Sequence, residues 1–229
     1  MRMRRKRNLD ARLEGCIGQL LPVFPEELDS SAFIDGGEYL DYSAIFGNGN
    51  PVEMEIGCGK GRFICELAAS RPDTNFIAVE RSENVLVTAC ERAMAEGLGN
   101  VRFLDMGAEY LDRYIPAGTI DRVYLNFSCP YPKGGYENRR LTNARFLALF
   151  ARLLRDGEGI VQKTDNRHFF EYSITSLSRE GWLINEITLD LHAESCPDNI
   201  VTKYEQKFAE TGKPIYRLRA RPGAESRRA

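Results

Sequence analysis

Val52-Glu-Met-Glu-Ile-Gly-Cys-Gly-Lys-Gly61 and, fourteen residues on, Asn75-Phe-Ile-Ala-Val-Glu80 decide the fold. Val52, Met54 and Ile56 alternate as in a half-buried strand. Three alternate glycines, Gly57, Gly59 and Gly61, then allow a tight turn and a close approach of backbone to a ligand. Residues 63–69 read as a helix, and 75–79 as a second strand that ends on an acid, Glu80. The alternation continues: helix 82–96, strand 101–104, short helix 108–114, strand 122–127, helix 142–154, strand 159–163, helix 168–180, strand 182–189. Residues 215–218 read as an added edge strand. Strands alternating with helices imply an α/β chain with a mostly parallel, doubly wound sheet. Such sheets bind ligands beyond the carboxyl ends of their strands. Residues 8–50 read as an irregular or partly helical lead-in.

The glycine turn selects its ligand by exclusion. A dinucleotide fingerprint needs Gly-x-Gly-x-x-Gly, and here the third glycine comes one residue early. No Ser or Thr follows Lys60 in the spacing of a P-loop. Glu55 puts a carboxylate beside the turn, which opposes phosphates and suits an amino-acid ammonium. Glu80 is placed to accept from ribose hydroxyls. These features point to S-adenosylmethionine, an adenosine without phosphates that carries an ammonium and a sulfonium. Asp105 and Gly107, after the third strand, would lie near its adenine; a turn or helix cap is the other reading of Asp105.

A second loop follows the strand at 122–127: Asn126-Phe-Ser-Cys-Pro-Tyr-Pro-Lys-Gly-Gly-Tyr-Glu-Asn-Arg-Arg-Leu-Thr142. Prolines and glycines give it a defined shape. Its cations and rings suit a partner with phosphates and flat bases.

The remaining composition excludes several classes. No apolar run approaches a membrane span, and no apolar segment follows the N-terminal cations, so the expected location is the cytoplasm and no membrane partner is expected. The six cysteines form no Cys-x-x-Cys pair and the chain has two histidines, so no metal site is expected and the thiols read as reduced. The net charge is −2, but it is unevenly spread. Five cations lie in residues 1–7 and five arginines against one acid in 217–229, which leaves 21 cations against 32 acids between. Basic ends read either as solubilising termini or as phosphate-seeking arms. His168 and His192 read as packing or surface residues.

Together these motifs make the chain resemble the bacterial tRNA (guanine-N7-)-methyltransferase family. The resemblance is carried by Met1-Arg-Met-Arg4, Glu55 to Gly61, Asn126-Phe-Ser, Pro130-x-Pro132-Lys133 and Arg139-Arg140-Leu-Thr142. It continues in Lys163-Thr-Asp165-Asn166, Thr202-x-Tyr204-Glu205 and Gly212-x-Pro-Ile-Tyr216. It implies a Rossmann-like class I methyltransferase with a seven-stranded sheet over 51–219, a basic N-terminal arm and lead-in over 1–50, and a basic tail over 220–229. It implies S-adenosylmethionine as cofactor, tRNA as partner, a variable-loop guanosine as target, and a monomer or homodimer. Glu55, Gly57, Gly59, Gly61, Glu80, Asp105, Gly107 and Cys129 would face the cofactor. Lys133, Arg139, Arg140, Asp165, Thr202, Lys203, Tyr204 and Glu205 would face the RNA.

The chain departs from the family in the second loop. The family's Asp-Pro-Trp-Pro-Lys is Cys129-Pro-Tyr131-Pro-Lys133 here. Its basic residues and histidine before Arg-Arg become Gly134-Gly-Tyr136-Glu137-Asn138, and a family acid falls at the position of Gly107. Cys129 thus holds the place of the aspartate that the resemblance makes catalytic or cofactor-contacting. Guanine N7 is a bare lone pair, so attack on the sulfonium methyl needs no base, and positioning and electrostatics carry the catalysis. The major groove of A-form RNA is too narrow for side chains, so the guanine must come from a loop or be extruded. Tyr131 is the candidate to stack on it, or else a ring that packs the loop. Asp165 is the candidate acceptor for its N1 and N2, with a helix cap as the other reading. Two further readings stay open. One is a homologue that binds cofactor and RNA but turns over weakly, supported by Cys129 and Gly134-Gly135. The other is a small-molecule methyltransferase, which the basic ends and Arg139-Arg140 oppose.

Overall fold

The computed structural model describes residues 4–21, 39–194, 196, 199–224 and 226–227; the side chains of Lys203, Tyr204 and Ala209 lie outside the description. Seven strands form one sheet in the order β3-β2-β1-β4-β5-β7-β6. The chain divides into two compact units, Met1–Pro116 and Ala117–Ala229.

In the first unit, β1 (Val52–Ile56), β2 (Asn75–Val79) and β3 (Val101–Leu104) pair in parallel. The expected in-and-out alternation of β1 is absent, because all five of its residues are buried. Glu53 tolerates this because Arg71 forks onto both its oxygens at 2.7 and 2.9 Å, and paired charge is what burial requires. Helices α3 (Arg62–Ser70) and α4 (Glu83–Ala95) supply Ile64, Cys65, Leu86 and Cys90 to the core.

The lead-in holds α1 (Leu9–Glu14) and α2 (Tyr42–Phe46). Arg12 grips Glu91 of α4 with two bonds of 2.6 Å, and Lys6 donates to Thr88. Residues 19–21 run along β3, with Leu21 N on Phe103 O at 2.9 Å and Phe103 N on Gln19 O at 2.9 Å. They cover β3 with main-chain bonds that a bare strand would offer to another chain.

In the second unit, β4 (Ile120–Asn126) and β5 (Leu154–Thr164) are parallel. The last strand, β7 (Tyr216–Pro222), pairs antiparallel with both β5 and β6 (Trp182–Thr188). It is therefore an interior strand rather than the added edge strand expected from residues 215–218, and it runs past residue 219. Helices α5 (Ala144–Leu153) and α6 (Arg167–Arg179) carry the apolar faces of this unit. A seventh helix, α7 (Lys203–Ala209), starts on a capping box between Thr202 and Glu205. Arg217 and Arg219 of β7 pair with Glu186, and in the tail Arg227 pairs with Asp156 and donates to the carbonyls of Ala151, Leu154 and Arg155. Among the described residues no helix is long and apolar enough to cross a membrane.

Candidate active site

The glycine turn of the first unit is held by its own main chain. Gly57 N and Cys58 N both donate to Val79 O, at 2.8 and 3.0 Å, and Gly61 N donates to Cys58 O at 3.0 Å. Gly57, Gly59 and Gly61 sit at φ of 79°, 59° and 75°, a region that side chains disfavour. Their surroundings differ. A Cβ on Gly57 or Gly59 would meet nothing within 4 Å, whereas one on Gly61 would lie 2.7 Å from Ala89 Cβ. Gly61 therefore serves the contact of α3 with α4, whereas the faces of Gly57 and Gly59 are open.

Acids surround this turn. Glu55 is buried at 2% exposure. Glu80 accepts from Gly59 N at 3.2 Å and from Ser82 N at 3.0 Å, so it braces the turn and still has lone pairs for a hydroxyl donor. Asp105 is half-buried, and burial, then Glu83 and Glu80, push its pKa up to about 6. Burial first, then Glu55 and Glu80, also raise the Cys58 thiol well above its ordinary range, so it stays neutral. A Cβ on Gly107 would collide with the carboxylate of Glu109, so an acid two residues on fills the space beside that glycine. Sequence reasoning missed Glu109; only its proximity to the missing side chain reveals it.

The loop after β4 belongs to the second unit and adds side-chain ties to its main-chain bonds, the first of which runs from Phe127 N to Lys163 O at 2.8 Å. Phe127 and Tyr131 take φ of 50° and 40°, which costs non-glycine residues energy and persists only where the surroundings enforce it. Phe127 stacks on Phe208 of α7, with ring centroids 6.0 Å apart. Arg140 donates from Nε to Pro130 O and from Nη2 to Tyr131 O, both at 3.0 Å, and its guanidinium lies 4.3 Å from the Tyr172 ring centroid. Arg140 thereby braces the loop. The planar fork fits two neighbouring carbonyls and leaves a face to stack. Cys129, Lys133 and Arg139 are exposed and Tyr131 is half-buried.

Asn166 caps α6, accepting from Phe169 N at 2.8 Å. That removes the cap reading of Asp165, which stands half-buried just past the carboxyl end of β5 with no hydrogen bond or ion pair among the described residues. Two residues earlier, Lys163 is 3% exposed. Its ammonium donates to Asn199 Oδ1 at 2.6 Å, Ile200 O at 2.8 Å and Glu205 Oε2 at 3.1 Å. Glu205 has no exposed surface; it also accepts from Asn199 Nδ2 at 2.5 Å and Thr202 N at 3.3 Å. Thr202 and Glu205 thus face inward, and their polar groups fasten α7 to the end of β5. The side chains of Lys203 and Tyr204 lie outside the described residues. A lysine inside the strand stretch Ile160-Val-Gln-Lys163 was the signal for this buried pair, since lysine is seldom buried without a partner.

A parallel strand, an acid-flanked glycine turn, a helix and a second strand followed by an acid define the Rossmann-like fold of the methyltransferase class. The comparisons agree. Residues 49–218 match a family described as putative methyltransferase. The chain is 46% identical over 176 residues to the tRNA (guanine-N(7)-)-methyltransferase of Geobacillus kaustophilus, covering 77% of this chain and 81% of that one. It is 45% identical over 196 residues to the enzyme of the same name from an Exiguobacterium species, covering 85% and 91%. A solved antibiotic-related methyltransferase superposes with a TM-score of 0.61 at 21% identity, covering 81% of this chain and 98% of that one, which supports the fold. The chain belongs to the tRNA (guanine-N7-)-methyltransferase family.

Proposed function

We infer that this protein transfers a methyl group from S-adenosylmethionine to N7 of a guanosine in tRNA, at a variable-loop guanosine. The observation that carries the reading is the 45–46% identity over more than four-fifths of two chains named for that reaction. Cys129 and Gly134-Gly135 are the only support for the weak-turnover alternative, and the same identities favour the tRNA methyltransferase over it and over a small-molecule methyltransferase.

The turn fits the cofactor. Gly57 and Gly59 present open backbone. Glu55, Glu80 and Asp105 supply negative charge for a ligand whose ammonium and sulfonium are both positive, and Glu109 stands in beside Gly107 for an acid near the adenine. When bound, the cofactor supplies an electrophilic methyl group whose positive charge passes to the purine as the sulfur–carbon bond breaks and the nitrogen–carbon bond forms. No proton needs removal at N7, so an exposed cysteine at position 129 does not abolish the chemistry. Alignment of the two reactants supplies most of the acceleration, worth roughly 7–11 kcal/mol in favourable cases. Asp165 accepts from guanine N1 and N2, Tyr131 stacks on the base, and Lys133 and Arg139 contact phosphates. Lys163 and Glu205 act through α7 as positioning residues. This reading places the enzyme in the cytoplasm.

The test is methyl incorporation into unmodified tRNA, followed by cleavage chemistry specific for 7-methylguanosine. One cleaved guanosine in the variable loop is expected; label confined to other bases, or to small acceptors only, would overturn the reading.

A further inference from the structure

The 3₁₀ turn Gly134–Arg139 is fixed from beneath and bare above. Tyr136 N donates to Lys133 O and Arg140 N to Glu137 O, both at 3.0 Å, so the turn closes on itself at each end. The Arg140 fork ties the preceding stretch to it through Pro130 and Tyr131. On this platform the Tyr136 side chain is left 45% exposed. The guanidinium carbon of Arg139 lies 4.9 Å from its ring centroid, so the ring already carries a cation against it.

The surrounding residues make this ring unusual. Gly134, Gly135, Glu137 and Asn138 are exposed and contribute no cation. Between Lys133 and Arg139 the loop therefore offers RNA one aromatic face and little charge. An exposed ring paired with guanidinium is a sequence-tolerant base-stacking unit, because every base has a π-face and the guanidinium can also reach a phosphate.

We propose that Tyr136 and Arg139 form a stacking site for an unpaired nucleotide of the tRNA other than the guanosine that receives the methyl group. The site rests on the tRNA reading above and adds a second contact to it. It holds the RNA by stacking where the loop lacks cations. Tyr136 is not part of the main-chain or side-chain ties that shape the turn beyond its own N–H, so its side chain can be replaced without unfolding the loop.

Filter binding of unmodified tRNA at several salt concentrations tests this with Tyr136→Ala, Tyr136→Phe and Arg139→Ala, with S-adenosylhomocysteine affinity measured alongside. The expected loss for Tyr136→Ala is about tenfold in tRNA affinity at every salt concentration, with the salt dependence unchanged. Tyr136→Phe restores binding to within about twofold, because stacking needs the ring and not the hydroxyl. Arg139→Ala lowers the slope of log affinity against log salt by roughly 0.7, one phosphate contact on a single strand. Cofactor-product affinity stays the same in all three. A photoreactive benzoylphenylalanine at position 136 is expected to cross-link to tRNA. If Tyr136→Ala binds tRNA as tightly as wild type while the wild type methylates it, the stacking site is refuted and the methyltransferase reading stands. A cross-link only to a second copy of the chain also refutes it. A wild type that neither binds nor methylates tRNA removes both.

Discussion

The two units fix their working loops with different balances of main chain and side chain. The glycine turn at 57–61 is shaped by three main-chain hydrogen bonds, three positive φ angles and one side-chain acceptor, Glu80 on Gly59 N, so its form rests mainly on backbone. The loop at 127–140 adds to its main-chain bonds, Phe127 N on Lys163 O, Tyr136 N on Lys133 O and Arg140 N on Glu137 O, the Arg140 fork and the Phe127–Phe208 stack, while the buried Lys163–Glu205 pair fastens α7 to the end of β5. A loop built from backbone can expose its surface to a ligand and keep its shape. A loop built from side chains can change its contact residues only where those residues are not among the ties. Of the positions at which the second loop departs from the expected family pattern, Cys129, Gly134, Gly135 and Asn138 are exposed, whereas Tyr131 is half-buried and its carbonyl is one of the ties.

The largest expected effect comes from the side-chain ties. Lys163→Met removes the buried lysine paired with Glu205 and, among the described residues, leaves only His192, 3.8 Å away, as a possible cation; it should cost roughly 3–5 kcal/mol in urea denaturation, because a buried charge that loses its partner is poorly tolerated. Replacing both members, with Lys163→Met and Glu205→Leu, should recover much of that loss while tRNA methylation stays impaired. Full activity in the double variant would remove the positioning role.

On the backbone side, Gly61→Ala should destabilise by about 2–4 kcal/mol, from the positive φ together with the Ala89 overlap. Gly59→Ala meets open space and should cost only about 1–2 kcal/mol from φ, yet weaken cofactor binding more. Equal stability losses at the two positions would erase the distinction between packing glycine and ligand-facing glycine.

These two regions were unequally legible. The turn could be read because strand, glycines, helix and acid are contiguous within residues 52–80, and each glycine marks its own backbone need. The strands and helices of both units followed for the same local reason. The roles of Arg140, Thr202 and Glu205 could not be read, because they depend on partners that folding brings from elsewhere: Lys163 and Glu205 are 42 residues apart. As isolated symbols an arginine and a glutamate look like surface contacts. The interior place of β7 was hidden likewise, since nothing in residues 216–222 marks which two strands they separate.

Asp165→Ala should reduce methyl transfer at least tenfold, about 1.4 kcal/mol of barrier, with cofactor affinity unchanged. Cys129→Asp should raise the rate by restoring a carboxylate that follows the migrating charge. An unchanged rate in Asp165→Ala would detach this residue from the guanine.

Smaller still is the effect of pH through Asp105. Its pKa in the folded protein, about 6, lies above the ordinary value of 3.8, so the folded chain holds the extra proton between these values. Its contribution to stability is then full below 3.8 and is lost as pH rises through about 6. Asp105→Asn should flatten the fall in melting temperature between pH 4 and pH 7, which paired thermal scans would show. The mildest change is Gly134→Lys: the position has open space and no positive φ, so a cation fits without strain and should steepen the salt dependence of tRNA binding by about 0.7.

The central claim is that the acid-flanked turn of the first unit holds a phosphate-free cationic methyl donor independently of the RNA-binding loop. Calorimetric titration of S-adenosylhomocysteine into wild type, Gly59→Val and Asp165→Ala tests it most directly. Saturable heat is expected from wild type and Asp165→Ala, and none from Gly59→Val. No heat from wild type at concentrations up to about 1 mM, where even a binding free energy near −4 kcal/mol registers, would contradict it; so would equal binding by Gly59→Val.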